Sequence, residues 1–335
     1  MLYTRNVSEG LSCLEKKLSF LILPIMFAFC DFSHLGGQRF RILLYTFVAS
    51  LSSIFCYDMA TATFDAVVHN AGTSRFFDCN LSAQHHAYIS MYFCTGIAFC
   101  FKELFDGTGT RCRNLANSIM IICFSVFVVL LSSRAGILCM IVLYVILLTW
   151  LIFSRKKYKL GLSIAGIAAV GIAVLLLALP QATNRIVTTV KSITSTEQKT
   201  DTRIIILSST VKVARENWLT GVGVGDRSDS YLQQYVEDGN DIASERHYNS
   251  HNQYIDTITS TGIAGLLLLL SFFIVPAVMF FRDRKCDIVF LAFLFIFAFN
   301  ALFESVFEVQ SGIFFFALFF SLFFLQLCSA KSDPA

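Results

Sequence analysis

The chain has 335 residues, of which 56% are hydrophobic and 15% charged, and its formal net charge is +3. Soluble domains carry about 25% charged residues, so the composition excludes an ordinary water-soluble globular protein. No basic run with interleaved aromatic residues is present, which argues against nucleic acid as a partner. Most of the 11 cysteines fall within apolar stretches, where cysteine behaves as a small apolar residue. No Cys/His spacing indicates a zinc site. We therefore expect neither a metal nor another cofactor.

The apolar residues form long continuous runs, which predict membrane-spanning helices rather than strands. A span needs about 20 apolar residues. We predict an all-α polytopic membrane protein with about nine transmembrane helices and one large polar loop with amphipathic helices. Its regions are N-terminal transmembrane helices in residues 1–180, the loop in 181–253, and C-terminal transmembrane helices in 254–335. The predicted spans are residues 18–33, 41–57, 86–105, 116–133, 135–154, 159–180, 254–281, 287–303 and 310–329.

Lysine and arginine in short loops indicate the cytoplasmic side of a membrane protein. Four connections carry them, and all four share one side only if the 181–253 loop lies on the opposite, extracytoplasmic side. The same count places the N-terminus outside, although Lys16 and Lys17 favour the inside. Either the first segment is re-entrant, or one span is miscounted, or N-terminal helices of relatives are missing. The four connections contain Arg39 and Arg41, Arg111 and Arg113, Arg155 to Lys159, and Arg282 to Lys285.

A tight turn, Ser132-Ser133-Arg134-Ala135-Gly136, separates two predicted spans. An arginine at that depth is costly unless it faces protein, water or an anion. Arg134 is therefore either an interfacial residue that snorkels to the membrane surface or a fixed cation for a phosphate group.

The large loop contains a helix-start signal at Asp201-Thr202-Arg203. We predict a helix that continues to about Asn217, lies along the membrane surface and turns Leu207, Val211 and Ala214 to one face. Arg203 falls in its first turn and Arg215 near its end. These cations are either solvated charges of an amphipathic cap or ligands of an anion. The glycines of Gly221-Val222-Gly223-Val224-Gly225 permit positive φ, and a structural turn is favoured over a phosphate loop.

The large loop ends in Ser250-His251-Asn252-Gln253, directly before an apolar helix. A neutral imidazole accepts a proton near physiological pH, and Asn252 can orient the ring or a ligand. An isolated histidine at a helix start more often has a capping or interfacial role. The topology nevertheless favours a catalytic role for His251, because it lies on the side of Arg134 and Arg203.

Two further pairs lie on this outer side. His85 and His86 are neighbours, and such a pair is expected to diverge on a helix and to chelate metal poorly. Glu304 and Glu308 are spaced i, i+4, which predicts one shared helical face and pairing with arginines.

Taken together, these residues resemble the O-antigen ligase and O-antigen polymerase family of bacterial membrane proteins. Three motifs carry the resemblance, and it covers about residues 85–329. They are Ser133-Arg134-Ala135-Gly136; Thr202-Arg203 followed by Gly221-Val222-Gly223; and His251-Asn252-Gln253-Tyr254 followed by Gly262-Ile263-Ala264-Gly265.

The resemblance implies a GT-C-like, metal-independent and inverting glycosyltransferase of the bacterial inner membrane. Such an enzyme moves a glycan from undecaprenyl diphosphate to a lipid A–core sugar or another acceptor hydroxyl at the periplasmic face. A polymerase would use a glycan repeat as acceptor, and the sequence does not separate the two. A flippase and an inactive remnant are the rivals of other classes. The implied roles are acceptor activation for His251, diphosphate binding for Arg134, Arg203 and Arg215, and support for Asn252 and His86.

Overall fold

The computed structural model describes residues 3–29, 37–69, 75–76, 81–106, 109–155, 202–283 and 287–332. These residues form α-helices joined by turns, which confirms the predicted all-α class. The helices are α1 (Val7–Lys17), α2 (Ser19–Phe29), α3 (Gly37–Val68), α4 (His86–Phe105), α5 (Arg111–Leu130), α6 (Arg134–Arg155), α7 (Thr202–Glu216), α8 (Arg227–Glu237), α9 (Asp241–Glu245), α10 (Gln253–Asp283), α11 (Ile288–Asn300) and α12 (Gln310–Ser332).

Five of the described helices, namely α3, α5, α6, α10 and α12, are long and apolar enough to cross a membrane. The chain is thus a polytopic membrane protein, while the predicted span at 159–180 lies outside the described residues. Several predicted limits are wrong, including that of α5, which covers Arg111–Leu130 instead of 116–133. Helix α3 is much longer than 41–57, and α11 ends at Asn300 because the chain then leaves the helix in a series of turns.

Helix α4 lies at the centre of the bundle and packs against α3, α5, α6 and α11. Its Phe93 ring meets Phe124 and Phe127 at centroid distances of 4.8 Å and 4.6 Å. A Cβ atom at Gly96 would lie 2.8 Å from Leu51 Cδ1, so the absence of a side chain lets α3 approach closely. The outer helices expose apolar side chains such as Leu267, as expected where lipid is the solvent.

One end of the bundle gathers the arginine-rich connections, and we call it the basic end. Arg41 Nε near the start of α3 donates to Glu103 Oε2 near the end of α4 at 2.7 Å. Lys102 pairs with Asp287 just before α11. The helix order then brings Arg111 and Arg282 to the same end, as the charge distribution predicted. His86, Arg134, Arg203 and His251 belong to the opposite end, which we call the site end.

Helices α7, α8 and α9 cover the site end and form a small core of their own. Helix α7 confirms the helix predicted from Thr202 to about Asn217. Of the residues predicted to share its apolar face, Ala214 is buried and Leu207 is 39% exposed, while Ile206 and Val213 are also buried. The reason is tertiary, because Tyr231 of α8 packs with Ile206 and Val213 in that core.

The glycine-rich turn after α7 docks on α10. Gly221 and Gly223 have φ values of 72° and 109°, and α10 breaks its helical geometry at Gly262, where φ is 69°. Val222 N donates to Thr259 O at 2.8 Å. A Cβ atom at Gly262 would lie 2.2 Å from Leu219 O. The structure therefore supports the structural turn rather than a phosphate loop.

The N-terminal residues also lie at the site end, as the span count predicted. Lys17 Nζ pairs with Glu308 Oε1 at 2.7 Å. The backbone amides of Arg5 and Asn6 donate to Asp226 Oδ2 and Oδ1 at 2.8 Å and 2.7 Å, and these bonds hold the pKa of Asp226 below its ordinary value. The positive charge of Lys17 favours the basic end, and at the site end the carboxylate of Glu308 compensates it.

Candidate functional site

The turn between α11 and α12, residues 301–309, forms the floor of the site. Because these residues are not helical, the prediction that Glu304 and Glu308 share one helical face was wrong. The start of α10 holds the turn in place. Gln253 N donates to Ala301 O at 2.8 Å, and Gln253 Oε1 accepts from Phe307 N at 2.7 Å.

His251 lies just before α10 in a left-handed backbone conformation, with φ at 49°. Its neighbours on both sides are anchored. Ser250 Oγ donates to Asp256 Oδ1 at 2.7 Å, and Asn252 Oδ1 caps α10 by accepting from Tyr254 N at 3.0 Å. Hydrogen bonds of the two neighbouring residues therefore fix the backbone of His251, and its imidazole lies outside the helix.

The carboxylate of Glu304 lies between His251 and Arg203. Its Oε2 atom is 3.3 Å from His251 Nδ1, and its Oε1 atom is 3.4 Å from Arg203 Nη2. Glu304 is 10% exposed, whereas its partners are 27% (His251) and 49% (Arg203) exposed. The carboxylate of this cluster is thus buried, and its two basic groups are partly exposed to solvent.

Electrostatics keep this carboxylate ionised. Burial opposes ionisation of Glu304, but the hydrogen bond and charge of His251 and the charge of Arg203 outweigh it. The pKa of Glu304 therefore lies below its ordinary value. An anion at Nδ1 of His251 stabilises a proton there, which leaves Nε2 as the proton-accepting nitrogen.

The first turn of α4 borders the cluster. His86 is half-buried, and the charges of Glu304 and Arg203 both act on it. The expected divergence of the two histidines is wrong, since the rings of His85 and His86 lie 4.2 Å apart between centroids. His85 precedes the helix with an extended backbone, which allows the rings to meet.

Arg134 is the first residue of α6 and is exposed. Ser133 Oγ accepts from Gly136 N at 3.1 Å and so caps the helix. A Cβ atom at Gly136 would lie 2.6 Å from Ser90 Cβ, and Ser90 bonds to the carbonyl of His86. The predicted Ser-Arg turn thus packs beside the first turn of α4, at the site end.

Arg215 is placed away from the cluster. It lies 12 residues after Arg203 on the same helix, which is about 18 Å along the axis. A diphosphate bound at Arg203 therefore does not reach Arg215 without movement of the donor.

A second cluster forms around Glu308, the other carboxylate of this turn. Arg227 binds Glu308 through both terminal nitrogens, at 2.9 Å and 3.0 Å, and this fork geometry is the strong form of the pair. Burial opposes ionisation of Glu308, but Arg227 and Lys17 lower its pKa to about 2. Asp256 is fully buried and accepts from Tyr231 Oη at 3.0 Å.

Sequence reasoning missed Asp256, Arg227 and Tyr231. Part of the signal was present, because Gln253, Asp256 and Ser260 recur at helical spacing at the start of an otherwise apolar segment. Within the described residues, no group of three or more His, Cys, Asp or Glu side chains is placed to hold a metal ion.

A family model described as O-antigen ligase matches residues 119–270. The match includes Arg134, Arg203, Arg215, His251 and Asn252, and it leaves out His86 and Glu304. A search among curated proteins gave no match. Members of the matched family are glycosyltransferase-like membrane enzymes. Residues 119–270 of this chain are therefore similar to the O-antigen ligase family, as the sequence motifs predicted.

Proposed function

We propose that this chain is an O-antigen ligase-like glycosyltransferase. It transfers a glycan from undecaprenyl diphosphate to a lipid A–core or other acceptor hydroxyl at the periplasmic face of the bacterial inner membrane. The observation that carries the proposal is the His251–Glu304–Arg203 cluster, in which a potential base and a cation share one buried carboxylate at the site end.

His251 is the base in this proposal. With its Nδ1 facing Glu304, its Nε2 takes the proton of the acceptor hydroxyl as that oxygen attacks the anomeric carbon. The bond between this carbon and the phosphate oxygen breaks, and its electron pair leaves with the lipid diphosphate. Attack from the side opposite the leaving group inverts the anomeric carbon.

Arginine supplies the positive charge for the leaving group. As the bond breaks, negative charge develops on the diphosphate, and a guanidinium group can stabilise it through paired N–H donors. Arg203 and Arg134 take this role, and Arg215 contacts a more distant part of the donor. These cations allow the transfer to proceed without a metal ion.

Asn252 and His86 support the cluster. Asn252 Nδ2 donates to Leu302 O at 3.2 Å, which ties the support of His251 to the turn that carries Glu304. His86 lies within the charge field of Glu304 and Arg203 and forms the α4 side of the site.

A transfer assay with lipid-linked glycan, purified chain and EDTA tests the proposal. We expect His251→Ala to lower the rate by about 10²–10⁴-fold, the usual cost of removing a general base. His247→Ala is the matched control, because His247 lies in the same loop and shares a φ of 49°, and it should retain transfer. Near-normal transfer by His251→Ala would refute the assignment.

The choice of acceptor decides between the two activities of the family. Offering lipid A–core and a glycan repeat in separate reactions distinguishes a ligase from a polymerase. The absence of transfer to either acceptor by folded wild-type chain, with each of several lipid-linked glycans, would contradict the transferase proposal itself.

A further inference from the structure

Helix α1 presents three different faces around its axis. One face, with Gly10 and Cys13 buried, packs on the protein. A second face is polar and includes the exposed Lys16. The third face is an apolar stripe of side chains that are 44–57% exposed, formed by Val7, Leu11, Leu14 and Leu18. The i, i+4, i+7, i+11 spacing places the four on one side of a helix.

This helix runs across the end of the bundle rather than along it. At its start, Thr4 Oγ1 lies against the glycine-rich turn, whose Gly223 N donates to Ser260 O of α10. At its end, Lys17 binds Glu308, which also binds Arg227 beside Asp256. Asp256 and Ser260 are about 6 Å apart along α10, whereas the 11 residues of α1 extend about 16 Å.

Two contacts relate α1 and the glycine-rich turn beside it to the beginning of long apolar segments. Gln310 is the first residue of the candidate span in α12, and its Nε2 donates to Ser19 Oγ at 3.0 Å, directly after α1. On the other side, the carbonyl of Leu219 touches Gly262, and α10 carries no charged residue from Gly262 to Phe281.

A second set of exposed apolar side chains lies beside the start of α1. Trp218 is 53% exposed and Leu219 60% exposed. Tyr3, also 53% exposed, donates from its hydroxyl to Thr220 O at 2.6 Å. Tryptophan and tyrosine concentrate at membrane–water interfaces because one end of each ring system is apolar and the other polar.

We propose that the α1 stripe and the Trp218-Leu219 pair form an interfacial surface that inserts into the headgroup boundary of the membrane that the bundle spans. The apolar face of such a helix rests among the upper parts of the lipid chains. Through Lys17 and Glu308, the same helix fixes the height of the α11–α12 turn relative to the lipid headgroups.

Single-tryptophan variants in lipid nanodiscs test this surface, since the chain contains only two tryptophans, Trp150 and Trp218. Trp150→Phe leaves Trp218 as the sole reporter. In a Trp150→Phe, Trp218→Phe background, Leu11→Trp reports on the stripe. Lys16→Trp is the matched control, about 140° away around the helix. Each variant is measured in lipid brominated near the headgroup and in lipid brominated near the chain end.

We expect headgroup-proximal bromine to quench Trp218 and the Leu11→Trp reporter more than deep bromine does. The Lys16→Trp reporter should respond to aqueous acrylamide and lose little emission to either lipid. Absence of lipid quenching at Leu11→Trp, or stronger quenching by deep bromine at either reporter, would overturn the proposal. Far-ultraviolet circular dichroism and the elution volume show that each variant is folded, and no transfer assay is needed.

Discussion

Glu304 and Glu308 come from the same turn and are equally buried, with side chains 10% exposed, yet their partners differ. Glu308 forms a two-bond fork with Arg227, which is itself only 9% exposed, and a second pair with Lys17. Glu304 instead meets Arg203 and His251, which are 49% and 27% exposed. The partner that binds Glu308 through two bonds is buried, whereas both partners of Glu304 are partly exposed to solvent.

We expect this difference to separate a brace, the buried Glu308–Arg227 ion pair, from a reactive group, the proposed catalytic cluster around Glu304. A buried ion pair with two hydrogen bonds fixes neighbouring elements, and losing one partner leaves a charge without compensation. An anchored carboxylate with open basic partners orients them and leaves their outer atoms accessible to a substrate. The expected effects below test this division, beginning with the largest.

Glu308→Ala should be the most destabilising change, because it leaves the Arg227 guanidinium buried without its partner. We expect a loss of about 3–5 kcal/mol in the free energy of unfolding, measured by thermal unfolding of the purified chain in detergent. Glu304→Ala is the control and should lose clearly less, since its partners are already open to water. Equal losses would remove the distinction between brace and reactive group.

Acid should weaken the brace. The pKa of Glu308 is lowered to about 2 in the folded chain, so its contribution to stability is complete above its ordinary value of 4.5 and is lost as the pH falls towards 2. Unfolding temperatures measured from neutral pH downwards should therefore fall over this window. Glu308→Gln should lose less stability than wild type over the same pH range. An identical decline in both chains would show that protonation of Glu308 does not cause the loss of stability in acid.

Glu304→Gln should lower transfer activity more than stability. The amide cannot stabilise positive charge on His251, so we expect a loss of roughly tenfold to a hundredfold in rate, less than removal of the base itself. The unfolding temperature should stay near that of wild type, which distinguishes this loss from a purely structural defect. A wild-type rate would show that Glu304 does not act on the base.

Arg203→Ala should have the smallest effect on stability. Ion pairs with an exposed partner contribute about 0.2–1 kcal/mol, and Arg203 is 49% exposed. Its transfer rate should nevertheless fall, because the diphosphate loses a cation. Lys212→Ala is the matched control on the same helix. Lys212 pairs with Asp238 at 2.7 Å, and its loss should leave transfer intact.

The all-α fold and the placement of most candidate site residues at one end of the bundle could be predicted from local pattern. Continuous apolar runs predicted the helices, and helix-start chemistry predicted α7 from Thr202. The distribution of Arg and Lys correctly grouped Arg39, Arg41, Arg111 and Arg282 at one end and His86, Arg134, Arg203 and His251 at the other. The helices depend on residues that are close in sequence, and successive connections alternate between the two ends of the bundle. A single sequence is therefore enough to predict both features.

The pairings at the site could not be predicted in the same way. Glu304 and His251 are 53 residues apart, and Lys17 and Glu308 are 291 apart. The spacing of Glu304 and Glu308 suggested one helical face, and the actual turn gave each carboxylate its own partners. The buried face of α7 depended on Tyr231 of α8 and could not be read from α7 itself.

By itself the sequence determined that a lipid bilayer surrounds this protein, where most of its helices lie, and that its candidate site residues share one end of the bundle. These properties follow from hydrophobicity and local hydrogen bonding, which act along the chain. Only the tertiary structure decided that Glu304 faces His251 and that Glu308 closes on Arg227. Which charges meet is set by how the helices pack, and that packing joins residues that have no relation in sequence.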